Sequence, residues 1–320
     1  MTKPDILAMP KVHPLYLQAL QAAYTVHSYN PDGDVLAFSA LAPRVIGLAA
    51  GGESVVPGAL LAKLPALKVV SVFGVGYDGI EVQAAIDRQV PVTHTPDVLT
   101  DDVADLAIAL VLSVARTLPQ ADQHVRNGRW PAGALPLGRK VSGARMGIVG
   151  FGRIGKAIAR RAAAFDMSIA YTARSEKPES GFAYYPTAAQ LAANVDFLVV
   201  ITPGGQATRH LINAEVLGAL GSKGYLINVA RGSVVDESAL IEALESGVIA
   251  GAALDVFANE PHVPEALWHM PNVVLTPHMA SATHQTRQAM ADLAFANMQA
   301  GTSGQPLLTP VPECRAAWSI

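Results

Sequence analysis

The sequence predicts an α/β protein made of two doubly wound parallel-sheet domains, with the second domain inserted into the first. Three observations support this prediction. Short apolar runs alternate with helical patterns along most of the chain, as in parallel sheets that helices cover on both faces. A glycine-rich turn joins a strand to a helix at residues 150–155. One long helical pattern follows the last predicted strand and has no further strand to connect to.

The chain of 320 residues is long enough for two domains that each bury a core. Its net charge of −3, with Lys and Arg dispersed, provides no basic face for nucleic acid. The polar start has no signal-peptide pattern, and the longest strongly apolar run, 106–115, is too short to cross a bilayer. Cys314 is the only cysteine, and no Cys or His falls in a metal-ligand spacing. We therefore expect a cytoplasmic protein without metal, nucleic-acid partner or membrane partner.

The first hundred residues alternate between strand and helix patterns. Strands are predicted at 6–9, 25–29, 44–49, 68–73 and 91–95, and helices at 15–23, 57–64 and 80–88. Two helical patterns follow at 101–118 and 120–127. The stretch 130–138 is rich in Pro, Gly and apolar side chains. It is either a partner surface or a cover for the sheet edge.

The glycine turn has the spacing G-x-G-x-x-G. Gly150 permits a tight turn, Gly152 allows a pyrophosphate to approach the backbone, and Gly155 allows the helix to pack against the strand. The phosphates would then lie at a helix N-terminus, which favours anions. The same spacing occurs at 74–79, but the next strand ends without a carboxylate or Arg. We interpret 74–79 as a loop that binds no phosphate and 150–155 as the dinucleotide turn.

Six strands are predicted around this turn, enough for a complete doubly wound dinucleotide-binding domain. They lie at 146–149, 168–172, 197–201, 224–228, 251–254 and 273–275. The helical pattern at 283–300 is expected to return to the first domain. The substrate domain would then comprise 1–98 and 286–320, and the dinucleotide-binding domain 99–285. A cleft lined by strand ends of both domains is expected between them.

The residues after the second strand of this domain predict the cofactor. An NAD site places Asp or Glu at this strand end to bind the ribose 2′-hydroxyl. Thr172 and Ala173 occupy that place, and Arg174 and Ser175 follow. An Arg fork and a hydroxyl suit phosphate oxygens, with Lys177 as an outer charge. The sequence therefore predicts a preference for NADPH, with NADH as a possible second cofactor.

Three charged residues follow predicted strands of the same domain, where ligands collect in open α/β sheets. They are Arg231, Glu260 and His278. Each has a structural explanation of its own, because an Arg can cap a helix, Glu-Pro can form a surface turn, and a single His is usually structural. Together they suit hydride transfer, which requires a cation for the substrate oxygens and an acid–base group for the carbonyl oxygen.

These motifs resemble the D-isomer-specific 2-hydroxyacid dehydrogenases. The matching segments are 150–155, Asn-Val-Ala-Arg-Gly at 228–232, Asp-Val-Phe at 255–257, Glu260-Pro261 and Pro277-His278. The resemblance implies two Rossmann-like or flavodoxin-like domains, one inserted into the other, and a homodimer through the inserted domain. Within the family, the chain looks most similar to glyoxylate/hydroxypyruvate reductases and hydroxyphenylpyruvate reductases.

The resemblance also implies roles for individual residues. Arg231 would hold the substrate carboxylate and keto oxygen, His278 would exchange the proton, and Glu260 would pair with His278 and raise its pKa. Val75 and Gly76 would offer backbone N–H groups to the substrate carboxylate. The matching cofactor-binding positions are Gly150, Phe151, Gly152, Arg153, Ile154, Gly155, Ala173, Arg174, Ser175, Thr202, Pro203, Val229, Ala230 and Asp255.

We therefore expect NADPH-dependent reduction of small 2-keto acids, such as glyoxylate and hydroxypyruvate, to D-2-hydroxy acids. Two alternatives remain open: a dinucleotide-sensing scaffold of the corepressor type with little turnover, and an aryl-pyruvate reductase. Leu99, Tyr77, Ser281 and a neighbouring subunit's Trp130 are candidates to line the substrate pocket. The sequence leaves the preferred 2-keto acid and the physiological direction open.

Overall fold

A computed structural model describes residues 3–318, which divide into two compact units. The first unit contains the chain up to Leu99 and again from Ser281, and the second contains Thr100–Ala280. The sequence places these boundaries at 98 and 286. None of the helices within 3–318 is both long and apolar enough to span a membrane.

The first segment of unit 1 forms a parallel sheet of five strands in the order β2-β1-β3-β4-β5. The strands are β1 Asp5–Ala8, β2 Thr25–Ser28, β3 Val45–Gly51, β4 Val69–Phe73 and β5 Val92–Thr93, and the helices are α1 Pro14–Ala23, α2 Val35–Leu41, α3 Gly58–Ala62 and α4 Val82–Asp87. All five residues of β4 are buried, as expected for a strand that helices cover on both faces.

Unit 2 contains a parallel sheet of seven strands in the order β12-β11-β10-β9-β6-β7-β8. The strands are β6 Arg145–Val149, β7 Ser168–Thr172, β8 Ala183–Tyr184, β9 Phe197–Val200, β10 Tyr225–Asn228, β11 Gly251–Leu254 and β12 Val273–Leu275. The helices are α5 Thr100–Ala115, α6 Leu118–Arg126, α7 Arg153–Ala163, α8 Ala188–Ala192, α9 Ala214–Leu220, α10 Glu237–Glu245 and α11 Glu265–Trp268. The strand order reverses between β6 and β9, and ligands bind at such switch points.

The prediction of six strands in this sheet is wrong by one, because β8 also pairs with β7. The six predicted strands are all present, and their ends agree with the structure to within one residue. β8 has only two residues. A two-residue strand shows no alternation of polar and apolar side chains, so the sequence pattern does not reveal it.

The chain then returns to unit 1 through α12 His284–Ser303 and α13 Pro312–Trp318. α12 packs on β4, where the Ser71 hydroxyl donates to the carbonyl of Ala294 at 2.8 Å. The two elements approach closely at Gly301, where an added Cβ would lie 2.5 Å from the Cβ of Val69. The predicted two-domain α/β architecture, with helices and parallel strands alternating, is confirmed.

Candidate active site

The glycine turn of unit 2 follows β6 and opens α7. Gly150 has φ +102°, and a Cβ added there would lie 2.8 Å from the backbone of Ile201. A Cβ added to Gly155 would lie 2.3 Å from the carbonyl oxygen of Gly150. Both positions therefore require glycine for local packing.

Gly152 has a different environment, because a Cβ added there would meet no atom within 4 Å. Gly152 is also the N-cap residue of α7. The space in front of it lies at a helix N-terminus, where backbone N–H groups and the helix dipole favour an anion. The turn thus fits the pyrophosphate of a dinucleotide, with exposed Arg153 and half-buried Ile154 beginning the helix beside it.

Two further predicted cofactor segments lie on neighbouring strands. The register pairs Val149 with Val200, and Val200 with Asn228, so the three strand ends form one row. The segments that follow these ends contain Gly150, the pair Thr202 and Pro203, and the pair Val229 and Ala230. The structure therefore places these predicted contacts at one edge of the sheet.

The loop after β7 contains the residues predicted to recognise the ribose phosphate. Arg174 and Ser175 are exposed, and Lys177 Nζ donates to Ser175 Oγ at 3.2 Å. The backbone N–H of Lys177 donates to Tyr171 Oη at 2.5 Å. Phe151 of the glycine turn stacks on Tyr171 with ring centroids 4.2 Å apart. Phe151, predicted to contact cofactor, is only 4% exposed, so its side chain belongs to the core beneath the loop.

His278 and Glu260 form a hydrogen-bonded pair. His278 Nδ1 lies 2.7 Å from Glu260 Oε2, and Glu260 Oε1 accepts the backbone N–H of Phe257 at 2.9 Å. Both carboxylate oxygens therefore have a defined partner. The side chain of His278 is 32% exposed and that of Glu260 is 19% exposed. Because Nε2 lies on the other side of the ring from Nδ1, Glu260 orients the ring without occupying Nε2.

Asp255 holds the loop that contains His278. Its buried carboxylate accepts hydrogen bonds from Thr276 Oγ1 at 2.7 Å, Met279 N at 2.8 Å and Ala280 N at 3.0 Å. Burial raises the pKa of the Asp255 carboxyl group, and these three donors oppose that effect. The sequence assigns Asp255 to the cofactor, whereas the structure places its carboxylate in the His278 loop.

Arg231 lies in a turn that the preceding Asn228 organises. Asn228 Oδ1 accepts the N–H of Ala230 at 3.1 Å, and Asn228 Nδ2 donates to the carbonyl of Arg231 at 3.1 Å. A guanidinium N–H of Arg231 also donates to the carbonyl of Ala230 at 2.7 Å. Asn228 is a positioning residue that the sequence reasoning did not single out, although it is the first residue of the Asn-Val-Ala-Arg-Gly motif.

The turn that carries Arg231 packs directly on the segment leading to Glu260. A Cβ added to Gly232 would lie 1.8 Å from the carbonyl carbon of Phe257. The register also aligns Asn228, Leu254 and Leu275 in one row of β10, β11 and β12. The segments that follow these three residues carry the predicted catalytic side chains. The structure thus brings Arg231, Glu260 and His278 to one edge of the sheet.

A family model described as D-isomer specific 2-hydroxyacid dehydrogenase, NAD binding domain, matches residues 108–280. The chain belongs to the D-isomer-specific 2-hydroxyacid dehydrogenases. It is therefore an oxidoreductase that uses a nicotinamide dinucleotide, and its two parallel-sheet domains are those of the family.

Several individual members of the family are similar to this chain over most of its length. Glyoxylate/hydroxypyruvate reductase A of Arabidopsis thaliana is 51% identical over 267 residues, which cover 83% of this chain and 84% of that protein. Hydroxyphenylpyruvate reductase of Plectranthus scutellarioides is 52% identical over 252 residues, which cover 79% and 80%. The solved NADPH-dependent glyoxylate/hydroxypyruvate reductase of Sinorhizobium meliloti, in complex with NADP and malonate, has a TM-score of 0.90 and 48% identity and covers 98% of each chain.

In unit 1, the predicted substrate loop follows β4. Gly74 has φ +157°, and a Cβ added there would lie 3.0 Å from Gly52 Cα, so a side chain has no room at this turn. The next helix, α4, begins at Val82. The glycines at 74–79 therefore do not open a helix N-terminus, which agrees with the interpretation of this loop as one without phosphate.

The four candidate pocket residues have different environments. Leu99 is 4% exposed and belongs to the core. Tyr77 donates its hydroxyl to Glu313 Oε2 at 2.9 Å. Ser281 is half-buried, and Trp130 is 66% exposed.

Proposed function

We propose that the protein reduces small 2-keto acids, such as glyoxylate and hydroxypyruvate, to D-2-hydroxy acids with NADPH. The observation that carries this proposal is the hydrogen-bonded pair of His278 and Glu260, with Arg231 at the same edge of the sheet. This set supplies a cation and an acid–base group in the domain that contains the dinucleotide turn.

The proposed reaction divides the chemistry between cofactor and protein. The reduced nicotinamide, when bound, supplies a hydride to the keto carbon. Arg231 holds the substrate carboxylate and offsets the negative charge that develops on the keto oxygen, because its planar fork presents several donors at once. His278 donates the proton from Nε2 to that oxygen. Glu260 accepts the Nδ1 hydrogen and stabilises the imidazolium before transfer. Asp255 and Asn228 keep the two catalytic loops in place.

The preference for NADPH rests on the loop after β7. Arg174 and Ser175 are exposed there, and Lys177 lies within hydrogen-bonding distance of Ser175. A guanidinium fork beside a hydroxyl and an ammonium suits the oxygens of a 2′-phosphate. The NADPH-dependent relative from Sinorhizobium meliloti supports the same assignment. We assign the pyrophosphate to the space in front of Gly152, and further cofactor contacts to Thr202, Pro203, Val229 and Ala230.

An aryl-pyruvate reductase is the second candidate function. The hydroxyphenylpyruvate reductase that is 52% identical to this chain supports it. Both candidates use the same catalytic residues and differ only in the substrate side chain. The third possibility that the sequence left open, a dinucleotide-sensing scaffold with little turnover, gains no support from these relatives, which are named as reductases.

We also propose a homodimer formed through unit 2. Exposed apolar side chains are concentrated on α6 and in the segment that follows it. In that segment Trp130 is 66% exposed and Leu137 is fully exposed. Such side chains often lie at protein interfaces. Size-exclusion chromatography with light scattering tests the dimer.

The cytoplasm remains the expected compartment on the basis of the sequence.

Initial rates test the proposed function. Loss of reduced nicotinamide absorbance is measured with glyoxylate, hydroxypyruvate and hydroxyphenylpyruvate, each with NADPH and with NADH. Faster turnover of the small acids with NADPH is the expected result. Fastest turnover with hydroxyphenylpyruvate supports the second candidate. Tight NADPH binding without turnover of any 2-keto acid supports the scaffold and contradicts a reductase.

Arg174→Ala tests the cofactor preference. We expect the KM for NADPH to rise about tenfold or more and the KM for NADH to stay nearly constant, because only NADPH carries the 2′-phosphate. Arg44→Ala is the matched control, since Arg44 is exposed in unit 1 and pairs with Asp5. Equal losses with both cofactors, or a wild type that prefers NADH, would contradict the assignment.

A further inference from the structure

The loop that follows β4 in unit 1 is held from one side by two consecutive residues after β5. The N–H of Gly74 donates to Thr95 Oγ1 at 3.1 Å, and the N–H of Thr95 donates back to the carbonyl of Gly74 at 2.8 Å. His94 Nδ1 lies 2.9 Å from the carbonyl oxygen of Val75. Each of these bonds fixes a backbone group of the loop, which spans Gly74–Gly76.

His94 is itself firmly held in the core. It is 8% exposed, its N–H donates to the carbonyl of Thr309 at 3.1 Å, and its carbonyl accepts the Thr309 hydroxyl at 2.6 Å. Tyr77 packs edge-on against its ring at 5.3 Å. Asn297 Nδ2 in turn donates to Thr309 Oγ1 at 2.7 Å. The backbone of His94 thus anchors the C-terminal segment, while its ring contacts the loop.

The carbonyl of Val75 determines which nitrogen of the His94 ring carries the hydrogen. A carbonyl oxygen only accepts hydrogen bonds, so Nδ1 of His94 must carry hydrogen and donate to Val75. An asparagine at this position also carries a donor close to the place of Nδ1, whereas phenylalanine has a ring of similar shape without a donor.

Peptide geometry connects this bond to the neighbouring N–H. The peptide between Val75 and Gly76 is planar and trans, so the Val75 carbonyl and the Gly76 N–H point in opposite directions. A bond that fixes the Val75 carbonyl toward His94 therefore fixes the Gly76 N–H away from His94. Within the described chain, the N–H groups of Val75 and Gly76 donate to no protein acceptor.

We propose that His94 is a positioning residue for substrate binding: its ring orients the Val75–Gly76 peptide so that the Gly76 N–H binds the carboxylate of the 2-keto acid. This inference rests on the proposed function. A fixed N–H that points toward the anion binds it more tightly than a mobile one, because the cost of ordering the loop is met during folding. The loop after β4 then offers the substrate carboxylate a backbone donor in a fixed orientation.

Three variants test the proposal. His94→Phe keeps the ring shape and removes the donor, His94→Leu removes the donor with a different shape, and His94→Asn retains a donor. We expect His94→Phe and His94→Leu to raise the KM for glyoxylate and the Kd for oxalate, measured calorimetrically with NADP bound, by about three- to tenfold. His94→Asn should stay within about twofold of wild type.

Two controls separate loop positioning from general damage. The KM for NADPH should be unchanged in all three variants, because the assigned cofactor residues belong to unit 2. His27→Phe is the matched control, since His27 is a half-buried histidine of the same sheet that pairs with Asp5. Its affinity for oxalate should equal that of wild type, and the melting temperature reports folding of each variant.

The possible outcomes are distinguishable. A wild type that neither reduces 2-keto acids nor binds oxalate contradicts the proposed function, and this inference with it. A functional wild type with an unaltered His94→Phe variant contradicts only the inference. An Asn variant as weak as the Phe variant would show that a donor at position 94 does not preserve binding, and would also overturn the proposal.

Discussion

At the scale of single residues, one hydrogen bond determines how His278 can act. The 2.7 Å contact of Nδ1 with Glu260 directs the ring and places a carboxylate next to the imidazolium. A neighbouring negative charge favours the protonated form of a histidine. Reduction consumes a proton, so the proposed mechanism requires His278 to be protonated when the substrate binds.

Glu260→Gln should shift the pH dependence of reduction. In the proposed mechanism the reaction needs protonated His278, so its rate should fall as the pH rises through the pKa of His278. Glutamine retains a hydrogen-bond partner but removes the negative charge, which should lower that pKa. We expect the alkaline limb of the kcat/KM profile for glyoxylate to move to lower pH.

Glu265→Gln is the control for this experiment, because Glu265 is an exposed residue in the first turn of α11. Its pH profile should coincide with that of wild type. An alkaline limb that stays in place in Glu260→Gln would remove Glu260 from the role proposed for it.

The sequence singled out the candidate catalytic side chains but not how they are held. Arg231, Glu260 and His278 each follow a strand and match a family motif, so the sequence alone was enough to single them out. The backbone of His278 has φ +48°, an uncommon conformation for a residue other than glycine. Its loop is held by three donors to the Asp255 carboxylate. Such donors include backbone N–H groups, which every residue except proline carries, so no sequence pattern distinguishes them.

At the scale of elements, the site depends on direct backbone contact between two loops. The turn after β10 contains Gly232, and the segment after β11 contains Phe257. A Cβ on Gly232 would lie 1.8 Å from the carbonyl carbon of Phe257, and backbone cannot move aside as a flexible side chain does. The contact therefore fixes the position of Arg231 relative to the Phe257 N–H that binds Glu260.

Gly232→Ala should separate these two loops. We expect a loss of about 1–3 kcal/mol in the free energy of unfolding, because overpacking forces backbone shifts. We also expect kcat/KM for glyoxylate to fall about tenfold or more, since small misplacements of positioning groups are costly in catalysis. Urea unfolding and steady-state kinetics measure the two effects.

Gly218→Ala is the matched control. Gly218 lies in α9, and an added Cβ would meet no atom within 4 Å. Alanine is about 1 kcal/mol more favourable than glycine inside a helix, so this variant should be slightly more stable and fully active. Similar behaviour of the two variants would show that the contact at Phe257 is not restrictive.

Sequence patterns predicted some of the helices and strands and missed others. Buried strands such as β7 and β11 were predicted with their ends, because apolar runs bounded by turn residues are distinctive. α2 was missed because its sequence, Val-Leu-Ala-Phe-Ser-Ala-Leu, is apolar at nearly every position and so shows no helical period. α13 was also missed, since seven residues are too few for a clear helical period. β5 is shorter than predicted because the chain after Thr93 contacts the C-terminal segment.

At the scale of the whole molecule, Asp196 connects separate parts of unit 2. Arg139 donates to its carboxylate at 2.9 Å, and Arg145 donates to it through both its backbone N–H and its guanidinium. The hydrogen bonds from Arg145 hold the pKa of Asp196 below its ordinary value, and burial opposes them. The segment that enters the sheet at β6 is thereby tied to the start of β9.

Asp196→Asn should reduce stability in a pH-dependent manner. A lowered pKa in the folded state means that Asp196 contributes stability above its ordinary value of 3.8, and that this stability is lost as the pH falls through the folded-state pKa. We expect a loss of about 1–3 kcal/mol near pH 7, which shrinks below pH 3.8.

Urea titrations from neutral to acidic pH measure this difference. Glu179→Gln is the control, because Glu179 forms an exposed pair with Lys156 and such pairs contribute little. A constant difference between Asp196→Asn and wild type at every pH would contradict an electrostatic origin.

The division of unit 1 into two chain segments has a consequence for biosynthesis. Unit 2 is continuous from Thr100 to Ala280, so its residues have all been translated before Ser281 is added. Unit 1 needs α12, whose Ala294 carbonyl accepts from Ser71, a residue 223 positions earlier. Domains generally fold as units while the ribosome is still elongating the chain. The sheet containing β4 therefore keeps one face uncovered until α12 has been made, and a nascent chain that terminates before α12 would present that apolar face to chaperones.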